Sequence, residues 1–314
     1  MRERAAAQLL DRPATGDVAE VVRHLLCVQA QDVAAHPLAF RARMRGVTAD
    51  QVAEVRRDRT VVRFWGPRGT LHLAAAEDLS WLHPLLRPSP AGSLRRLREL
   101  GAETSEEAAV AAVGHALEGA GPLGKAELGE LLGLEGQAIL HYTALAARAG
   151  LVVLGPDRGG KATYVHAADW LGAPLPVVVD EDRALRELAV RFRRAQGPAE
   201  PGDLAAWSGL SLAKARRAWR SLPDPDGAAV PGGPFVRLVP AFDEYLMGRR
   251  DQGLTAAQRR AVRPGGGVIR AAVIVDGRIA GTWSGGEAVL FAAEEREQEL
   301  AAEFADVARF RAGR

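Results

Sequence analysis

The 314 residues are 47% hydrophobic and 25% charged, which supplies apolar material for real cores, argues against wholesale disorder and leaves room for two to four domains. With 41 Lys and Arg against 39 Asp and Glu, the formal net charge of +2 permits a nucleic-acid partner without requiring one. A single cysteine, Cys27, excludes an intramolecular disulfide and points to a reducing compartment; no signal-like segment and no apolar run near the ~20 residues of a membrane span is present, so a cytoplasmic protein without a membrane partner is expected.

Residues 1 to about 45 read as helices, broken at Pro13 and again around Gln29 to Asp32. The second helix carries Val18, Val21, Val22, Leu25 and Leu26, with Cys27 as a small buried hydrophobe, and ends in Gln29-Ala30-Gln31. In extended or turn-like backbone, residues two apart face the same way, so both amides can meet one small object such as a water molecule. The plainer alternative is that Gln29 and Gln31 cap a helix end and face solvent. Asp50 to Arg59 is a further helix and Val61 to Trp65 a strand; Gly66-Pro67-Arg68-Gly69 is turn chemistry, and a strand follows in which Thr70 and His72 alternate with apolar residues. His72 is then either a structural hydrogen-bonder or a weak catalytic candidate. Helix, turn, helix, helix, hairpin is the order of a winged helix. Ala76 to Leu100 continues as helix with interruptions at Pro84, Pro88 and Pro90.

Two segments then repeat each other. Gly121-Pro122, Glu127-Leu128 and Gly133-Leu134 recur as Gly197-Pro198, Asp203-Leu204 and Gly209-Leu210, always 76 residues on. In both copies an acid and a Leu open a short helix, Gly supplies the turn, and a second helix follows (Gln137 to Ala149; Ser211 to Ser221), a helix-turn-helix grammar. The first copy runs on into Leu151 to Leu154, a polar turn, and Ala162 to Val165, which make a wing. The turn fits the spacing of a phosphate-binding loop, yet Ala162 replaces the metal-holding hydroxyl and a strand follows where a helix should start, so Arg158 and Lys161 are read as wing-tip cations available to DNA phosphates. The second copy runs through Pro223-Asp224-Pro225-Asp226-Gly227, and its strands arrive later, from Phe235 to Val239 and from Val268 to Trp283, a hairpin with Asp276-Gly277 at its turn. Ala288 to Phe310 is predicted to be one amphipathic helix.

Seven histidines without an H-E-x-x-H pattern, and one cysteine, predict no metal site and no cofactor. Asp243-Glu244 lies in an otherwise apolar segment, where two acids are costly unless paired, so they meet Arg or backbone donors or face a cleft; an N-cap and a catalytic role both remain open. Lys214, Arg217 and Arg220 share one helix face, either solvated or contacting phosphates, and Arg249-Arg250 forms another basic cluster. Because acids collect between Glu294 and Asp306, separate basic and acidic faces are expected.

Taken together, Gln29-Ala30-Gln31, Arg63-Phe64-Trp65 with Arg68-Gly69-Thr70-Leu71-His72-Leu73, Asp169-Trp170-Leu171, Leu238 to Leu246, and Val275-Asp276-Gly277-Arg278 with Gly281-Thr282-Trp283 make the chain resemble the AlkZ and YcaQ family of tandem winged-helix DNA glycosylases. The Gln-apolar-Gln motif is similar to the AlkZ-like branch, in contrast to Gln-apolar-Asp. The resemblance implies an α+β, mainly helical fold of three tandem winged-helix units forming a C-shaped DNA channel with a C-terminal β-hairpin region. It divides the chain into residues 1–100 (unit 1, with the catalytic motif), 101–175 (unit 2), 176–232 (the helices of unit 3) and 233–314 (strands completing unit 3 and a terminal helix). It implies a monofunctional glycosylase that hydrolyses the N-glycosidic bond of N7-alkylguanine lesions, bulky antibiotic adducts or interstrand crosslinks, in duplex DNA for repair or self-resistance. Gln29 and Gln31 would be catalytic, with Arg68, Thr70, His72, Asp243 and Glu244 as cleft or supporting candidates, in a cytoplasmic, nucleoid-associated monomer. The alternative is a non-catalytic winged-helix DNA-binding protein or regulator.

Overall fold

The computed structural model describes all residues except 12, 15, 221, 223–231, 248–252 and 314, and helix outweighs strand in it. Two compact units form, one from Met1–Glu54 with Leu185–Arg314 and one from Val55–Ala184. Among the described residues no helix is long and apolar enough to cross a membrane.

The first unit opens with α1 (Arg2–Ala7) and α2 (Val18–Leu25). Asp17 starts α2 by accepting the Ala19 N–H at 3.0 Å, and the helix buries Val18, Val21, Val22 and Leu25 as its apolar spacing predicts. It ends abruptly at Leu26, whose φ of 73° is unfavourable for a side chain with a Cβ. An extended pair, β1 (Val28–Gln29), leads through a turn to α3 (His36–Arg41). Thr48 and Gln51 then cap α4 (Ala49–Arg57) reciprocally, the Thr48 hydroxyl accepting the Gln51 N–H and the Gln51 amide accepting the Thr48 N–H.

In the second unit, β2 (Val61–Trp65) and β3 (Leu71–Ala75) form the predicted antiparallel hairpin, with Val61 opposite Ala75 and Trp65 opposite Leu71. The run after Ala76 divides into α5 (Leu79–Leu86) and α6 (Ala91–Glu99). Pro88 and Pro90 fall between them, but the break predicted at Pro84 is absent. Pro84 sits inside α5, which ends two residues later, so only one helical bond is forfeited near the helix end. Then come α7 (Glu106–Leu117), β4 (Leu123–Gly124), α8 (Lys125–Leu132), α9 (Ala138–Arg148), β5 (Val152–Leu154), β6 (Thr163–His166) and α10 (Ala167–Leu171). The strands of this unit are ordered β3-β2-β5-β6-β4. Val113, Leu117, Leu128, Ile139, Val152 and Tyr164 build its core. The base of the β5–β6 loop is fixed by charge: Asp157 accepts from both Arg56 and Arg63, and Arg56 also donates to the Gly155 carbonyl at 2.6 Å. Burial, with the neighbouring Arg56, brings the Arg63 guanidinium down to about 10.

The chain re-enters the first unit along α11 (Glu181–Gln196), followed by α12 (Pro201–Ser208) and α13 (Leu212–Trp219). The repeat is realised in backbone geometry. Glu127 and Asp203 each turn back onto the N-cap N–H of their helix, from Gly124 at 2.6 Å and Glu200 at 3.1 Å, and Gly133 and Gly209 both terminate their helices in the left-handed region at φ 63° and 81°. Next are β7 (Val236–Val239), α14 (Ala256–Val262), β8 (Ala272–Val275), β9 (Arg278–Ser284), β10 (Glu287–Leu290) and α15 (Glu297–Arg311). The sheet runs β10-β9-β8-β7, and Asp276 (φ 50°) and Gly277 (φ 82°) make the tight turn predicted for the hairpin.

The terminal helix starts later than its amphipathic pattern suggests. Residues 287–290 form strand β10 because Gly281 leaves room for it: a Cβ there would lie 2.4 Å from the Val289 carbonyl. The acids of the tail are divided: Glu295, Glu297 and Glu299 are exposed, and the others turn onto the unit. Glu303 binds Arg41 and Arg237 and accepts the Leu238 N–H at 2.8 Å, Asp306 binds Arg41 and Arg309, and Glu294 binds Arg278, so this charge docks α15 onto its own unit. The Pro223-to-Gly227 loop and the Arg249-Arg250 cluster lie outside the described residues.

Gly150 follows α9 at φ 82°, and a Cβ on it would stand 2.2 Å from the Leu175 carbonyl oxygen. Strain and clash act together there, so Gly150→Ala is expected to cost about 3 kcal/mol of stability. Urea denaturation checks this; an unchanged midpoint would contradict it.

Candidate active site

Gln29 is positioned by its backbone before its side chain comes into play. Its N–H donates to Oε1 of Glu244 at 2.8 Å, and the other oxygen of that carboxylate accepts Nε1–H of Trp207, from α12, also at 2.8 Å. Glu244 and Trp207 are 2% and 1% exposed, so these hydrogen bonds replace water in the unit's interior. The Gln29 side chain is buried, and its amide oxygen accepts the Gln31 N–H at 3.3 Å, which folds Gln29-Ala30-Gln31 into a small local turn. Gln31 itself is exposed. The two amides are therefore not equivalent: the first is largely spent on shaping the turn, and the second reaches the surface. Asp32 continues the construction by accepting the Ala34 and Ala35 N–H groups at 2.8 and 3.0 Å and leading the chain into α3.

Asp243 serves a different end. Its carboxylate takes both Nη groups of Arg43 at 2.7 Å and the Tyr245 N–H at 2.9 Å, so it caps the short 3-10 turn Glu244–Leu246 while neutralising a buried cation. Phe242, just before it, has φ 59°. Leu26 and Phe242, both with Cβ atoms and both in the left-handed region, thus lie on the two segments that meet at the Gln29–Glu244 contact. Backbone strain of this kind persists only where surrounding contacts over-determine it.

A family model described as DNA glycosylase AlkZ-like matches residues 22–310. The chain belongs to the AlkZ-like DNA glycosylase family. It is 26% identical over 326 residues to an interstrand DNA cross-link repair glycosylase of Streptomyces sahachiroi, covering 89% of this chain and 85% of the relative. Its fold is similar to that of Streptomyces sahachiroi DNA glycosylase AlkZ, with a TM-score of 0.80 at 23% identity over 98% of this chain and 95% of the other. The chain is accordingly a DNA glycosylase, a hydrolase of N-glycosyl bonds that acts in DNA repair.

The remaining sequence-selected residues of this glycosylase fall in several places. Arg68, Thr70 and His72 belong to the second unit. Arg68 is exposed in the turn at φ 58°, and the Thr70 hydroxyl donates to the Pro67 carbonyl at 3.1 Å. His72 is fully buried, with Nδ1 donating to the Thr70 carbonyl at 2.9 Å, and burial with the nearby Arg68 holds its imidazole at about 3, so it is a neutral structural hydrogen-bonder at physiological pH. Arg158 and Lys161 are exposed at the β5–β6 tip, where Arg158 pairs with Glu127, and both line a cavity of about 1150 Å³ with residues of α8 and α9. Arg217 and Arg220 are exposed and Lys214 half-buried on α13. Among the described residues no group of three or more His, Cys, Asp or Glu is placed to hold a metal ion.

Sequence reasoning missed Trp207 and Arg43. A usable signal for Trp207 existed in the repeat: the matching position 76 residues earlier is Leu131, which is 61% exposed, so a Trp in its place marks a point where the copies diverge.

His72 and His24 carry a pH dependence. Burial is the main cause of lowering at both; at His24 the Ala7 carbonyl opposes it, and Arg194 and Arg43 add to it. The folded protein refuses protons that the unfolded chain accepts at its ordinary value of 6.5, so this stability is intact above 6.5 and is lost as pH falls toward 3 for His72. His72→Gln is expected to remove about 2 kcal/mol of the stability difference between pH 7 and pH 5, read from denaturation midpoints. Equal pH slopes in both proteins would contradict it.

Proposed function

We propose that the protein hydrolyses the N-glycosidic bond of N7-alkylated guanine in duplex DNA, with Gln31 orienting the attacking water and Gln29 shaping the turn that presents it. The observation that carries this reading is the anchored Gln29-Ala30-Gln31 turn with its exposed second amide, in a chain of the AlkZ-like family. The chemistry agrees with the residues. Alkylation at N7 puts positive charge on the base, so the bond to the sugar is already weak and the base departs without a general acid. What remains is to hold a water near C1′ and to stabilise an oxocarbenium-like sugar, and amide dipoles do both by orientation. A neutral amide is too weak a base to deprotonate water for attack on an unmodified nucleoside, which spares normal DNA.

Crosslinked or bulky adducts are the lesions this reading favours, since they resist flipping into a tight pocket and suit an open channel; the Streptomyces sahachiroi relative is named for interstrand cross-link repair. Protection of an organism against its own DNA-alkylating antibiotic is the corresponding role. On the same reading the chain is three tandem winged-helix units over residues 1–100, 101–175 and 176–232, the last completed by strands from 233–314, working as a nucleoid-associated cytoplasmic monomer. The paired helix-turn-helix segments that turn at Gly133 and Gly209, and the β5–β6 hairpin after the first, support that division. Arg158, Lys161, Lys214, Arg217 and Arg220 are the phosphate contacts, joined by Arg249 and Arg250.

Gln31→Ala is expected to abolish release of 7-methylguanine while leaving duplex binding within about three-fold of wild type. Alkali-labile abasic sites formed at the wild-type rate would remove the motif from consideration. For the cations, a Lys214→Ala, Arg217→Ala, Arg220→Ala triple variant should lower the slope of log affinity against log salt by about 2 to 3, uniformly across sequences. An unchanged slope would place the phosphate contacts elsewhere.

A further inference from the structure

We propose that Glu244 is a positioning residue for the glutamine turn, holding it by a carboxylate clamped between two opposed N–H donors, the Gln29 peptide and the Trp207 indole. The proposal rests on the reading that Gln31 orients water. Its geometry is specific: one carboxylate oxygen faces each donor, each at 2.8 Å, in a site from which water is excluded. A carboxylate is the side-chain group that offers acceptors on both arms; the isosteric amide offers one acceptor and one donor. With glutamine at 244, either the Gln29 N–H or the Trp207 Nε1–H would face an NH₂ group.

The neighbouring acid shows why the two are not interchangeable. Asp243 is saturated by Arg43 and the Tyr245 N–H, and so neutralises the buried cation. Glu244 is directed the other way, onto a peptide 215 residues distant in sequence. The strained φ values at Leu26 and Phe242 precede that contact on both segments, so the backbone bends sharply just before each partner. Because the Gln29 amide oxygen in turn receives the Gln31 N–H, a shift of the Gln29 peptide is transmitted directly to Gln31.

The test is single-turnover release of 7-methylguanine from duplex DNA by the full-length protein, with duplex affinity measured in parallel. Glu244→Gln should slow release at least about ten-fold while affinity stays within about three-fold, since misplacement of a water-orienting group affects the chemical step. Trp207→Phe added to Glu244→Gln removes the opposed N–H, so the double variant should recover at least about three-fold over Glu244→Gln alone. A role confined to stability would lower melting temperature without this rescue of rate. Glu244→Asp keeps two acceptors but withdraws them by one methylene, so it should also slow release with binding retained, and it carries the test if Glu244→Gln does not fold. Wild-type rates in Glu244→Gln or Glu244→Asp, or a double variant no faster than Glu244→Gln, overturn the proposal. Gln31→Ala run alongside separates the two failures: if it is inactive while Glu244→Gln is wild type, only the positioning proposal fails, and if both are wild type the motif reading fails and takes this one with it.

Discussion

Carboxylates removed from water need donors in exchange, and the interior of the first unit is organised around meeting that demand for Asp243 and Glu244. Asp243 takes Arg43; Arg43 also donates to Gln8 at 3.0 Å and to the Ala39 carbonyl at 3.1 Å; Gln8 donates to Gln196 at 2.8 Å, and Arg4 reaches the same Gln196 oxygen at 3.3 Å. Glu244 extends the series to Trp207 and to the Gln29 peptide. A contiguous run of polar contacts thus links α1, the end of α3, α11, α12 and the 243–246 turn. Each partner is buried, so these contacts replace water in the interior. The network specifies where the glutamine turn sits more than it adds net stability, because buried ion pairs roughly repay their own desolvation.

This arrangement changes what the glutamine motif means. Two equivalent amides converging on a water would be a symmetric device. What the protein has instead is a hierarchy: a carboxylate holds the Gln29 peptide, the Gln29 amide oxygen holds the Gln31 peptide, and Gln31 is exposed. Negative charge is kept one step behind, on a carboxylate that accepts the Gln29 and Trp207 N–H groups, and on the proposed reading it serves as a support. For a leaving group that already carries positive charge, a positioned dipole suffices.

Features that depend on neighbouring residues were legible in the sequence. The Asp276-Gly277 turn, the Gly133 and Gly209 helix ends, the Glu127 and Asp203 capping contacts and the hairpin from Val61 to Ala75 each follow from turn chemistry or alternation within a few residues. Where the reading failed, a long-range contact overrode the local signal. Ala288 has helical surroundings, yet residues 287–290 pair as a strand because Gly281 opens space beside them. Glu294, Glu303 and Asp306 look like part of a solvated face until Arg41, Arg237 and Arg278 are brought to them. Asp243 and Glu244 were recognised as needing partners, but Arg43 and Trp207 lie 200 and 37 residues away, and nothing in local pattern names them.

The repeat offers the last step, because identical local grammar has been put to different uses. Position 131 on α8 is an exposed Leu, and its counterpart Trp207 on α12 is buried against Glu244. On the following helices, Lys214, Arg217 and Arg220 of the second copy correspond to Ala138, His141 and Ala144 of the first. The first copy carries cations on the β5–β6 tip, as Arg158 and Lys161. On the proposed reading, one copy meets the DNA backbone through a wing and the other through a helix face. On that reading, the copy that meets it through a helix is also the one whose preceding helix carries Trp207 onto Glu244, so α13 and the support of Gln29 belong to one helix-turn-helix.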